Sequence, residues 1–233
     1  MQELKSSFIS NFIDDNRWRY ITDGLKITLL VTVFAVLIGV VLGFLIAIVR
    51  TTHDKTGKLK ILNAICKVYL TVIRGTPMMV QLLIMWFIVW ASARSTDSNM
   101  LRCAILAFGI NSGAYVAEIF RSGIMSIDKG QMEAGRSLGL SSGQTMKLII
   151  MPQAFKNVLP ALINEMIVLL KETSIIGYIG MTDITKAATL VQSRTYEAFV
   201  PLIAAAVFYW VLVTILTYFM GKLERRLRKS DRK

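Results

Sequence analysis

The feature that most constrains this chain is a set of uncharged stretches long enough to cross a lipid bilayer. Residues 27–49 and 198–221 contain no charged side chain, and a transmembrane helix needs about 20 apolar residues in a row. Residues 75–93 are also uncharged and begin with Thr76-Pro77, a suitable cap and first-turn pair for a helix. Hydrophobic residues make up 54% of the chain, which excludes a soluble domain of ordinary composition.

Two further apolar stretches carry polar residues within them. Residues 103–120 are apolar apart from Glu118, and residues 158–181, which start near Pro160, are interrupted at 171–174. We interpret that interruption as a broken or bent helix lining an internal cavity, because irregular polar backbone is not tolerated against lipid. The sequence therefore predicts an all-α membrane protein, a single domain over residues 1–233, with five transmembrane helices at about 27–49, 75–93, 103–120, 158–181 and 198–221.

The distribution of charge predicts the orientation of these helices. Successive segments alternate between a basic excess and near neutrality, namely 1–26 (0), 50–74 (+5), 94–102 (+1), 121–156 (+3), 171–197 (0) and 222–233 (+5). Glu118 and Glu165, which lie inside spans, bring the sum to the formal net charge of +12. Basic excess marks cytoplasmic loops. We therefore expect the N-terminus outside and the C-terminus in the cytoplasm, with the loop 126–153 also cytoplasmic. The formal net charge of +12 then reflects membrane topology and not binding of nucleic acid.

The loop 126–153 has the signals of a helix–turn–helix. Asp128 can cap a first helix, and Gly139 suits the left-handed position just past its end. Ser141 with Gln144 forms a capping box that starts a second helix, which we expect to stop before Pro152. The small residues Ala134, Gly135 and Gly139 should leave one face of the first helix bare for a partner's backbone, while Glu133 and Arg136 supply orienting charges.

The spaced pattern of this loop resembles the EAA loop of ABC-importer permeases, which sits in a groove of the ATPase subunit. Its elements are Glu133-Ala134-Gly135, Gly139, Ile149 and Met151-Pro152, with Gly135 in place of the second alanine and Met151 in place of leucine. Together with three other segments, the chain resembles the permease subunits of polar amino-acid ABC importers, the histidine and glutamine permease family. Those segments are Arg74-Gly75-Thr76-Pro77 with Gln81, the set Tyr115, Glu118, Arg121 and Gly123, and Leu170-Lys171-Glu172-Thr173-Ser174.

This resemblance implies a type I importer in a bacterial-type cytoplasmic membrane. Its partners would be ABC ATPase subunits, a second permease subunit that is identical or a sister, an extracytoplasmic amino-acid-binding protein, and membrane lipids. The chain has no phosphate-binding loop of the G-x-x-x-x-G-K-[ST] type. We therefore expect no cofactor in this chain, with ATP and Mg²⁺ bound by the ATPase subunits. The ATPase-coupling residues would be Glu133, Ala134, Gly135, Arg136 and Gly139.

Catalytic and metal-binding chemistry is not predicted. The single histidine, His53, is expected in a cytoplasmic loop, and the two cysteines are far apart in sequence. We expect a transport subunit and not an enzyme. An ion-coupled secondary transporter is the alternative, although it would need a self-contained ion site, usually built from inverted repeats that the sequence lacks. A membrane enzyme or scaffold is a third possibility.

Four residues of the fourth span are candidates for the substrate path. A buried carboxylate is costly in a membrane, so Glu165 should face a cavity, where it could hold a substrate ammonium with Asn164 beside it. Glu172 and Thr173 would lie further along the route. Alternatively, Glu165 pairs with a cation from another helix and the segment 171–174 merely stabilises a bend.

Two other features of the spans are interpreted as structural. Glu118 and Arg121 are three residues apart and can form a structural ion pair on one helix. Gly39-x-x-x-Gly43 is a small-residue groove for close helix packing, either within this chain or against a second subunit.

Overall fold

The computed structural model describes residues 6–230, and within that range the chain forms helices and turns but no strand. The all-α prediction is thereby confirmed, while residues 1–5 and 231–233 of the predicted domain lie outside the described range. The α-helices are α1 (Trp18–Thr56), α2 (Lys60–Gly75), α3 (Met78–Ile84), α4 (Asp97–Met125), α5 (Lys129–Ser137), α6 (Ser142–Thr145), α7 (Met151–Glu172), α8 (Ile184–Thr195) and α9 (Phe199–Ser230). Short π-helical segments cover Ile9–Ile13, Met85–Val89 and Met146–Ile150, and 3₁₀-helical segments cover Asp14–Asn16 and Thr173–Ile179.

Three helices of the described range, α1, α4 and α9, are long and apolar enough to cross a membrane. The pair Lys60–Gly75 and Met78–Val89 adds a fourth if it is counted as one broken span. The prediction of five spans is therefore not confirmed. The segment expected at 158–181 is divided between α7 and the 3₁₀ helix Thr173–Ile179.

Two compact units can be described separately. The first unit consists of Met1–Leu37, Thr76–Gly109 and Met166–Leu216. Its core is a cluster of buried apolar side chains from several helices, including Val31, Leu82, Phe108, Leu169 and Ile176. In the same unit the fully buried Asp183 caps α8, because its carboxylate accepts the backbone N–H groups of Thr185 and Lys186 at 3.0 Å each.

The second unit consists of Ile38–Gly75, Ile110–Glu165 and Thr217–Lys233. Within it, α1 packs on α4 through the glycines of the small-residue groove. A Cβ atom on Gly39 would lie 2.7 Å from Ser112 Oγ, and one on Gly43 would lie 2.7 Å from the backbone nitrogen of Ala117. Only glycine permits an approach this close. The interpretation that the groove serves packing within the chain is confirmed.

Two prolines that were expected at helix ends lie within helical segments. The second helix of the loop does not stop before Pro152, since Ser142–Thr145 continues through the π-helical turn Met146–Ile150 directly into α7. Pro152 lies just after this π-helical turn, where the regular α-helical hydrogen-bond pattern is already interrupted. Pro160 lies inside α7 and does not start a span.

Candidate functional site

The loop 126–153 forms a helical hairpin of α5 and α6 with the predicted end signals. Asp128 Oδ1 accepts the N–H of Gly130 at 2.6 Å. Ser141 and Gln144 form the capping box, with Ser141 N–H donating to Gln144 Oε1 at 2.8 Å and Gln144 N–H to Ser141 Oγ at 3.3 Å. Gly139 follows α5 with a φ of +84°, so this left-handed position is confirmed. These caps define where the two helices of the hairpin begin.

Gly135 has a different role from the one its small size suggested. It is buried, and a Cβ atom built on it would lie 2.4 Å from Thr145 Cγ2 and 2.9 Å from Thr145 Oγ1. The prediction that Gly135 belongs to a bare face open to a partner is therefore wrong. Its missing side chain lets the segment after Ser141 close onto α5, so the contact is internal to the hairpin.

The exposed side of the hairpin carries the other four predicted coupling residues and one further residue that was not predicted from the sequence. Glu133, Ala134, Arg136 and Gly139 are exposed. Leu138 is 81% exposed, although a leucine on a solvated helix usually turns inward. Arg136 Nη1 donates to Ser142 Oγ at 2.6 Å, which orients its guanidinium across the turn. We call Glu133, Ala134, Leu138 and Gly139 the hairpin surface, in which an exposed apolar side chain lies beside small residues and one charged residue.

A cavity of about 540 Å³, lined by both apolar and charged residues, lies in the second unit. Its lining includes two carboxylates, one guanidinium and one aromatic ring, from Glu118, Glu165, Arg74 and Tyr115. Glu165 is only 9% exposed, and Ser112 Oγ donates to its Oε1 at 3.0 Å. The structure thus places Glu165 at a cavity, as a costly buried carboxylate requires, and gives it a hydroxyl donor that sequence reasoning did not identify.

Glu118 lies between two arginines. Arg121 Nη2 is 3.0 Å from Glu118 Oε1, the contact expected from their spacing on α4. Arg74 Nη1 is 4.0 Å from the other oxygen, Oε2, and the Arg74 guanidinium lies 5.7 Å from the centroid of the Tyr115 ring. Sequence spacing revealed only the first pair, because Arg74 lies on α2 and far from Glu118 in the chain.

The remaining substrate-path candidates are not gathered at this cavity. Asn164 is exposed and is not part of its lining. Glu172 and Thr173 belong to the first unit. There Thr173 is fully buried, and its hydroxyl donates to the carbonyl of Leu170 at 2.7 Å. Among residues 6–230, no group of three or more His, Cys, Asp or Glu side chains could hold a metal ion.

Residues 39–229 match the family described as the binding-protein-dependent transport system inner membrane component. The chain belongs to this family. The permease is 39% identical over 212 residues to the arginine transport system permease protein of Bacillus subtilis, an alignment that covers 91% of this chain and 94% of that one. It is 34% identical over 206 residues to the glutamine transport system permease protein of Escherichia coli, covering 88% and 92%. Both relatives are transport permeases, and the family places the chain in an inner membrane.

Solved structures support the same fold. The permease superposes on a crystal structure of an amino acid ABC transporter with histidines at a TM-score of 0.82 and 40% identity, covering 89% of this chain and 94% of that one. An inward-facing structure of the MetNI methionine ABC transporter gives a TM-score of 0.74 at 18% identity, covering 89% and 96%, and so shows the fold alone. The predicted family, a permease subunit of the ABC-importer type, is confirmed.

Proposed function

We propose that this permease forms half of the translocation pathway of an ATP-driven importer that takes up a polar amino acid. The observation that carries the proposal is the cavity of about 540 Å³, which combines Glu165 and Glu118 with Arg74. An amino acid presents one ammonium and one carboxylate, so a site that offers both signs of charge fits it. The relatives named for arginine and glutamine transport support the same substrate class.

Glu165 is the residue we assign to the substrate ammonium. Its carboxylate already accepts a hydrogen bond from Ser112, and each carboxylate oxygen can accept more than one hydrogen bond. Arg74 is assigned to the substrate carboxylate, because a guanidinium can bind a carboxylate through two parallel hydrogen bonds. We assign Asn164 to a contact with the substrate at the edge of the site. Glu172 and Thr173 are assigned to positions further along the translocation route. Thr173 could bind substrate only after its hydroxyl releases the hydrogen bond to Leu170.

The proposed energy source is a pair of ABC ATPase subunits that bind ATP and Mg²⁺ and contact the hairpin surface. This assignment is supported by the exposure of Leu138 and by the rigid caps of the hairpin. A second permease subunit would complete the pathway, and an extracytoplasmic binding protein would deliver the amino acid. Gly135 contributes to this contact only indirectly, through the packing of the hairpin.

The substrate assignment is tested with Glu165→Gln in the reconstituted complex of permease, ATPase and binding protein. A hydrogen bond to a charged group contributes about 1.5–3 kcal/mol, so we expect the half-saturating concentration to rise at least about tenfold, with assembly intact because glutamine still accepts from Ser112. Asp97→Asn is the matched control, since Asp97 is exposed and outside the cavity. Unchanged uptake of every tested amino acid by Glu165→Gln would remove Glu165 from the site.

The same preparation separates the importer from an ion-coupled transporter. Uptake by the importer requires ATP and the ATPase subunits and persists when ion gradients are dissipated. Uptake by the isolated permease, driven by a sodium or proton gradient, would establish the alternative instead.

Coupling is tested by comparing Gly139→Arg with Gly139→Asn. Nothing lies within 4 Å of a Cβ at this position, so both variants share only the strain of a positive φ, which asparagine tolerates best. We expect Gly139→Arg, with its bulk on the hairpin surface, to lose the ATPase on purification or to hydrolyse ATP without uptake, while Gly139→Asn stays coupled. Normal coupling in Gly139→Arg contradicts the assignment of the hairpin surface.

A further inference from the structure

A second pocket in the second unit is lined mainly by basic side chains. It has a volume of about 430 Å³ and is lined by Arg50, Lys67, Leu70, Thr71, Arg74 and Gly75. Lys67, Thr71 and Arg74 are spaced by four and three residues along α2, so they share one face of that helix. Arg50 comes from α1. Three cations and a hydroxyl thus converge on one space from two helices.

These cations are only partly neutralised. No carboxylate lines the pocket. In the described part of the chain, Arg74 is 4.0 Å from Glu118, whereas neither Arg50 nor Lys67 has an acidic side chain within ion-pair distance. The Nε atom of Arg50 is also buried without a hydrogen-bond partner among those residues. A buried donor without a partner is costly, so an anion with several acceptor oxygens would stabilise this arrangement.

The sequence around the pocket-lining residues indicates which class of anion the pocket would bind. Arg50 is the first charged residue after the uncharged stretch 27–49, and so stands where that stretch leaves the hydrocarbon layer. α2 also carries an exposed apolar stripe, about a third of a turn from the basic face at 3.6 residues per turn. Its members, each more than half exposed, are Ile61, Ile65, Val68 and Val72. A helix with cations beside an apolar stripe is typical of the membrane interface.

We propose that this pocket binds the phosphate of an anionic phospholipid, whose acyl chains follow the apolar stripe of α2. The guanidinium groups supply forked donors for two phosphate oxygens, and Lys67 and Thr71 supply further donors. A free amino acid fits less well, because no carboxylate lines the pocket to pair with its ammonium, while three cations would repel it. The site shares Arg74 with the proposed substrate site and differs from it in Arg50, Lys67 and Thr71, none of which lines the cavity at Glu165.

The test measures phospholipid retained by the purified permease–ATPase complex, using native mass spectrometry with phosphatidylglycerol and phosphatidylcholine supplied in equal amounts. Lys67→Gln is compared with Lys60→Gln, which removes the same charge from the same exposed helix outside the pocket. One cation near a membrane surface changes lipid binding about fivefold. We expect Lys67→Gln to lower retained phosphatidylglycerol by about that factor, and Lys60→Gln to leave it unchanged. Equal losses in both variants, or none in either, overturn the proposal.

A second variant distinguishes a lipid from a soluble phosphate. Val68→Ser changes the apolar stripe and keeps every donor of the pocket. We expect it to lower phosphatidylglycerol retention, and we expect glycerol 3-phosphate at millimolar concentration not to displace the lipid. If Val68→Ser has no effect and glycerol 3-phosphate competes, the pocket binds soluble phosphates and the lipid assignment is wrong.

Discussion

Replacing Gly135 by alanine should loosen the hairpin that carries the hairpin surface. The added Cβ would lie 2.4 Å from Thr145 Cγ2, whereas carbon atoms in contact are about 3.5–4.0 Å apart. Thr145 cannot simply rotate away. It is fully buried, and its hydroxyl donates to the carbonyl of Ser141 at 3.0 Å. The two helical segments must therefore separate by about 1 Å, or this hydrogen bond must break.

The magnitude follows from two opposing effects. Overpacking of this kind costs about 1–3 kcal/mol, while alanine in place of glycine stabilises a helix by about 0.5–1 kcal/mol. The central values leave a net destabilisation of about 1 kcal/mol, which is about a fivefold increase in local opening. Because the caps at Asp128 and Ser141 are unchanged, we expect local loosening and not loss of the fold.

Hydrogen exchange of peptides covering residues 128–150, measured by mass spectrometry on the purified complex, detects this opening. We expect faster exchange in Gly135→Ala and no increase in Gly143→Ala, since a Cβ on Gly143 meets nothing within 4 Å. Thr145→Ser should partly rescue Gly135→Ala, because it deletes the methyl group at 2.4 Å and keeps a hydroxyl. If the amides of the hairpin exchange as slowly in Gly135→Ala as in the unsubstituted permease, the packing argument is refuted.

Two further predictions concern orientation and a buried cap. In a background lacking Cys66 and Cys103, a single cysteine introduced at Ser95 should react with an impermeant thiol reagent in intact cells. A single cysteine introduced at Thr56 should react only after the membrane is opened. The reverse result would show that the predicted topology is inverted. Asp183→Ala should lower the thermal stability of the permease by the equivalent of about 1–2 kcal/mol, because two backbone amides of α8 lose their acceptor. Asp183→Asn should lose less stability, because its side-chain oxygen can still accept. Equal stability of the two variants would contradict the capping role.

The hairpin was predictable because its signals are local. The caps at Asp128 and Ser141 and the positive φ at Gly139 depend on residues within about four positions of one another, and helix-end chemistry acts over that distance. Whether Gly135 is buried or exposed does not depend on local sequence, because it depends on how the segment carrying Thr145 packs against α5. A small residue frees space on a helix, but the sequence does not say whether the chain itself or a partner fills it.

The cavity was only partly predictable for the same reason. The cost of a carboxylate in a membrane led to Glu165, but its donor Ser112 is 53 positions away. Likewise, helical spacing revealed Arg121 beside Glu118 and could not reveal Arg74. Thr173 lies in the polar interruption of the span, which suggests a place on the substrate path, yet its hydroxyl donates to the carbonyl of Leu170. Polar residues in membrane segments often serve their own backbone in this way.

The packing of Gly39 connects the small-residue groove to the proposed substrate contact. A Cβ at this position would lie 2.7 Å from Ser112 Oγ, and the same oxygen donates to Glu165. Gly39→Ala should therefore displace the hydroxyl and remove a hydrogen bond to a charged group, which contributes about 1.5–3 kcal/mol. We expect reduced uptake, with Glu165 itself unchanged and the complex still assembled.

A double-mutant cycle with Ser112→Ala tests whether the effect passes through this hydroxyl. If it does, the hydrogen bond can be lost only once, so Gly39→Ala/Ser112→Ala should transport about as well as Gly39→Ala alone, since both keep the contact with the Cβ of residue 112 at 2.8 Å. Gly43→Ala is the comparison, because its Cβ meets the backbone nitrogen of Ala117 at 2.7 Å and does not approach Ser112. It should reduce thermal stability, and its effect should add to that of Ser112→Ala. Additive losses for Gly39→Ala and Ser112→Ala would show that the groove affects transport by another route, since two independent perturbations add while a shared hydrogen bond does not.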